Sequence, residues 1–140
     1  MSTFDTLIRI HRWQVDERRR QLVELEVLAE RVRQDLQRLA EERELEAAVA
    51  DASPEAHYGY AGYIRGALDR RATLERSLAE AEEQIVQARE AVAAAFQEMK
   101  RYEIAAANRE RHRRQLADRR ERLELDGIAL DNYRRRSGAA

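Results

Sequence analysis

Three features of the sequence predict an all-α fold, an antiparallel two-helix coiled-coil hairpin with a longer C-terminal helix. Helix breakers cluster at only one place along most of the chain, apolar residues recur every three or four positions on both sides of it, and 38% of residues are charged. Charge that dense, with aromatics at only 6%, leaves too little apolar matter for a thick core but enough for one stripe per helix. A length of 140 residues predicts one domain. It is read as a single coiled-coil hairpin over 1–140, with a helix at 3–50, a turn at 51–57, a helix at 54–135 and a flexible tail at 136–140.

The breaker cluster is Asp51-Ala-Ser-Pro-Glu-Ala-His-Tyr-Gly59. Ser53 before Pro54 reads as an N-cap followed by proline at the first helical position, where its missing N–H costs nothing. No comparable cluster recurs until Gly127 and the Ser137-Gly138 tail. Helices this much longer than the usual ~11–12 residues, without internal caps, point to a coiled coil.

The second helix carries the clearer heptad. Steps of three and four from Ile64 reach Ala67, Arg71, Leu74, Leu78, Ala81, Ile85, Ala88, Val92, Ala95, Met99, Tyr102 and Ala106, with Arg71 the one polar residue. A 3.5-residue period sustained this long implies supercoiling against a partner helix, and the alanines imply close approach. In the first helix the same steps give Phe4, Ile8, His11, Val15, Arg18, Leu22, Leu25, Ala29, Val32, Leu36 and Leu39. Leu45 and Val49 then fall off phase, which predicts a register slip past Leu39.

A turn near residue 52 would set Phe4 beside residues 100–106 and His11 near Ala95 or Met99. The paired part would be about 70 Å long, and the second helix would run on about 45 Å further. The seam changes at that point, continuing as Arg109, Arg113, Leu116, Arg120, Leu123, Gly127 and Leu130. Residues 108–136 hold ten arginines and six acids, net +4, whereas residues 1–107 carry net −5. The expectation is an acidic body with one basic end.

Catalytic chemistry finds no foothold here. His11, His57 and His112 are far apart, and none has a second histidine at metal-binding spacing. Without cysteine there is no thiolate site or disulfide, and Gly59, Gly62 and Gly66 are spaced for a helix rather than a phosphate cradle. No enzyme activity, cofactor or metal is expected. The chain has no ~18-residue apolar span and its first ten residues do not read as a secretory signal, so a soluble cytoplasmic protein is expected, with no membrane insertion.

Three features look outward. Tyr58, Tyr60 and Tyr63 cluster just after the turn, as a plug for the open seam or as an exposed aromatic patch suited to a partner. Phe4, Leu7, Ile8, Ile10 and Trp13 are apolar on more than one face, more than a single buried stripe needs, and the surplus is read as partner-facing. The arginine-rich end is either a solvated, ion-paired helix or a binding arm. Its six carboxylates repel phosphate, so nucleic acid is not the expected partner.

Taken together, Phe4-x-x-Leu7-Ile8-Arg9, Tyr60-x-x-Tyr63-Ile64, Glu98-Met-Lys100 and the arginine-rich end with Leu125-Asp126-x-x-Ala129 resemble the flagellar FliJ family, over nearly the whole chain. The resemblance implies a non-enzymatic coiled-coil stalk of the bacterial flagellar type III export apparatus. Its open end would enter the hexameric export ATPase through Phe4, Leu7, Ile8, Arg9, Arg120, Leu123, Asp126 and Leu130. Its tip would meet the cytoplasmic domain of the export gate through Tyr60, Tyr63 and Ile64. Ala67 stands where the family usually has a larger apolar residue. Export chaperones would be further partners, the protein a monomer, and its place cytoplasmic, peripheral to the inner face of the cell membrane. A generic coiled-coil scaffold and a zipper-like DNA-binding arm are the alternatives.

Overall fold

The computed structural model describes residues 2–138. It contains two helices, α1 (Thr3–Ala52) and α2 (Pro54–Gly138), and no strand among the described residues. The all-α hairpin with a longer second helix is therefore observed.

Both helix starts are chemically marked. Ser2 and Asp5 form a reciprocal capping box at the start of α1. The Asp5 N–H donates to Ser2 Oγ and the Ser2 N–H donates to Asp5 Oδ2, each at 3.2 Å. These bonds hold the Asp5 carboxyl below its ordinary value. At the start of α2, Ser53 Oγ accepts from the Ala56 N–H at 3.1 Å, as its pairing with Pro54 predicts.

The boundaries differ from expectation. α1 runs to Ala52 and α2 starts at Pro54, so the expected turn at 51–57 shrinks to Ser53. One side-chain cap and one proline suffice to break the helix, and no described residue has positive φ. Residues 136–138, expected in a flexible tail, are helical; 139–140 lie outside the described residues.

The described chain falls into two compact units, residues 13–96 and residues 2–12 with 97–138. In the first, α1 and α2 run antiparallel, as the cross-helix ion pairs Glu26–Arg89, Arg33–Glu82 and Glu42–Arg70 require. Its seam follows the heptad. Ala29, Ala81 and Ile85 form a buried cluster, with Leu22, Leu25 and Leu78 packed against it. Ala29 and Ala81 are buried outright, at 0% and 2% exposure, as expected where small residues let two backbones approach.

Leu45 and Val49, which suggested a slip past Leu39, face out at 70% and 55% exposure; Arg43 is half-buried and Ala50 buried on the original count, but between them Ala47 is half-buried while Glu46, the counted position, is exposed. Arginine can hold a seam position because its methylene stem packs as an apolar group.

In the other unit, residues 3–12 lie antiparallel to α2. His11 stacks on Tyr102 with centroids 4.5 Å apart, and Arg12 reaches Glu103 at 3.3 Å. The Arg109 guanidinium lies 5.5 Å from the Phe4 ring centroid. The sequence placed Phe4 beside residues 100–106 and His11 beside Ala95 or Met99, so partners lie several residues later in α2. Two packed helix axes are 8–10 Å apart, and the chain spends the first residues of α2 crossing that gap. Beyond Glu110 every described residue is exposed.

Candidate functional site

Two surfaces result, one in each unit. In the 13–96 unit, the chain after Ser53 brings the tyrosines to the start of α2. The Tyr60 and Tyr63 rings stack at 6.3 Å with 30° between planes, and both residues are half-buried, as is Ile64. Ala67 is buried in the seam at 3% exposure. The Tyr63 hydroxyl is buried with no hydrogen-bond partner among the described residues. Burial first, then the nearby charges of Glu42 and Glu46, raise its pKa above the ordinary phenol value. Tyr58 is 93% exposed, and Leu68 also faces out. The sequence pointed to Tyr58 only as one of a cluster, and nothing in it singled out Leu68. Gly59, Gly62 and Gly66 have open space where a Cβ would stand, so no packing within the described chain calls for glycine there.

The second surface belongs to the other unit. Phe4, Leu7 and Ile8 are half-buried, and Arg9 is exposed. Behind them Glu103 accepts from Lys100 at 3.2 Å and from Arg12 at 3.3 Å; these bonds, Lys100's above all, lower its pKa. Arg120, Leu123, Asp126 and Leu130 are exposed, with Leu123 at 66%. They lie at least eleven residues beyond Arg109, about 16 Å along the helix. The structure therefore pairs Phe4 with Arg109 and His11 with Tyr102, and leaves Arg120 to Leu130 further along α2.

Charge on this second stretch is locally ordered. Glu110 receives two bonds from Arg113, at 2.8 and 3.0 Å, and a third from Arg114 at 3.3 Å. That clamp, Arg113 foremost, brings the Glu110 pKa down to about 2. At 100° per residue, Arg109, Arg113 and Arg120 project to one side of the helix and Arg111 and Arg122 to the opposite side. Arg114 and Arg119 project between them.

Among the described residues no group of acids and histidines is arranged to hold a metal ion, and no helix is long and apolar enough to cross a membrane. The grooves along the helix pair in the 13–96 unit are open to solvent and mixed in charge. One of about 590 Å³ is lined by Asp35, Arg38, Glu42, Asp69, Arg70 and Thr73, among others. Such a surface suits protein contacts better than enclosed chemistry.

Comparison with known families gives a match to the flagellar FliJ protein family over residues 1–138. No curated protein and no solved structure matches the chain.

Proposed function

The chain belongs to the flagellar FliJ family, a structural component of the flagellar protein export apparatus, and from that premise we propose that it is a stalk held by the hexameric export ATPase. The observation that carries this reading is the exposed stretch 111–138, with arginines directed to every side of one helix. A flat membrane or a nucleic-acid groove would engage one side only. A partner that surrounds the helix engages them all.

A six-membered ring cannot match a single helix by symmetry. Charge contacts tolerate that mismatch, because they are less directional than interlocked side chains. Phe4, Leu7, Ile8 and Arg9 then form a collar, and Arg120, Leu123, Asp126 and Leu130 enter the ring. At the other surface, the exposed edges of Tyr60, Tyr63 and Ile64 meet the cytoplasmic domain of the export gate. Tyr58 and Leu68 extend the contact, while Ala67 sets the close helix approach behind it. The protein acts as a monomer at the inner face of the cell membrane, couples the ATPase cycle to the gate, and exchanges export chaperones.

Deleting residues 110–140 tests the first contact. The shortened protein should lose ATPase binding and stimulation; retention of both would refute the assignment. Replacing Tyr60 and Tyr63 with alanine should weaken capture of the gate domain while helicity is kept.

A further inference from the structure

Leu45 and Val49, the residues off phase with the seam, belong to a stripe of their own. Glu41, Leu45, Ala48 and Ala52 follow steps of four and three along the outer face of α1, and all four are exposed. Such a period is what one helix presents to another, and the alanines leave room for close approach. The surroundings are acidic. Residues 41–52 hold five acids and one arginine, Arg43, for a net charge of −4. Among the described residues Glu42 alone of the five meets a basic side chain, Arg70 at 3.9 Å.

A second exposed stripe has the opposite surroundings. Arg113, Leu116, Arg120 and Leu123 follow the same steps on α2, with Leu116 and Leu123 at 40% and 66% exposure. Residues 111–122 hold six arginines and two acids, net +4 over an equal length. Both stripes are exposed, so neither covers the other within one chain. Yet they match in spacing, length and sign. Set antiparallel with Leu45 opposite Leu116, the steps bring Glu41 opposite Arg120 and Ala48 opposite Arg113, where the small alanine leaves space for the arginine stem. Glu44 and Arg119 then meet at the edge of the pair.

We propose that free copies of this chain dock on each other here, the arginine-rich stretch 111–122 of one copy lying along the acidic 41–52 face of another. The contact is short and held largely by exposed charge, so it is weak, salt-sensitive and formed at high protein concentration. It does not depend on the export reading above. Where that reading holds, the ring and a second copy compete for the same helix, and the monomer is the form the ring takes.

Sedimentation equilibrium of the full chain tests this. At low salt the weight-average mass should rise above the 16.3 kDa of one chain as concentration increases, and should return to it at high salt. Leu45→Ser, which changes no charge, should weaken association by about tenfold. Two charge-reversed variants, Glu41→Lys with Glu44→Lys and Arg119→Glu with Arg120→Glu, should each stay monomeric alone, because each sets like charges together. Their equimolar mixture should associate again, the acidic face of the second meeting the arginines of the first. Leu45→Ser added to the second variant should weaken that mixture too. All the substituted side chains are exposed, and unchanged circular dichroism checks that the helices persist. The mass of one chain at every concentration, which leaves the acidic face to a different protein, overturns the proposal. So does wild-type association of either reversed variant alone, a mixture that stays monomeric, or a mixture indifferent to Leu45→Ser, which marks attraction by net charge alone.

Discussion

Residues 64–106 and 111–138 are both stretches of α2 and continue one heptad count, yet they meet different surroundings. In the first, every seam position but Arg71 is buried or half-buried. In the second, Arg113, Leu116, Arg120, Leu123, Gly127 and Leu130 are all exposed. α1 starts at Thr3 with Phe4 against Arg109, so it faces the first stretch and not the second, and the side chains match that difference. The first stretch alternates large apolar residues with alanine, which lets two helices close on each other. The second places arginine at alternate seam positions, where a permanent charge resists desolvation. A heptad pattern can thus persist where the helix no longer packs against a second one.

The contrast is broken most forcefully by truncating matched seam residues. Ile85→Ala should cost roughly 2–4 kcal/mol in urea unfolding, because it empties part of the buried Ala29–Ala81–Ile85 cluster. Leu123→Ala should change stability by less than about 0.5 kcal/mol, as an exposed substitution does. Equal losses would mean that the second stretch is also packed. Ser53→Ala should cost about 1 kcal/mol by removing the cap on the Ala56 N–H, read from the same unfolding curves.

Gly62→Ala should stabilise the free protein by about 0.5–1 kcal/mol, since a Cβ there meets nothing and the helix gains propensity. If the gate domain approaches that backbone, the same change should weaken gate capture. The smallest effect concerns Glu110. Its folded pKa is depressed, so its contribution to local helix stability is complete above its ordinary value of 4.5 and is lost as pH falls towards about 2. Circular dichroism over that range should show a steeper helix loss in the wild type than in Glu110→Gln.

Much of the fold was legible because its signals are local or periodic. Ser53-Pro54 announced the start of α2, and the 3-4 count from Ile64 marked the residues that the structure covers. The supposed slip at Leu45 and Val49 was a misreading of a different kind. Two apolar residues on the outer face looked like a shifted seam, while Arg43, which holds the true phase by its methylene stem, looked like surface. The capping box was readable in Ser2-x-x-Asp5 but was missed. Pairing offsets such as Phe4 with Arg109 depend on how much of α2 is spent crossing the gap, which no residue type encodes. For the candidate sites, the sequence marked the tyrosines and the arginine-rich end. It marked Ala67 as a seam residue but could not show that Tyr58 is bare or that the Tyr63 hydroxyl has no partner among the described residues, because each depends on the facing helix.

Residue-resolved hydrogen exchange of the whole chain, with and without the hexameric export ATPase, tests the central claim most directly. In the free protein, amides of residues 64–106 should exchange slowly and those of 111–138 quickly; added ATPase should slow the second group and leave the first unchanged. Uniform protection of the free helix, or an ATPase footprint confined to residues 64–106, would contradict it.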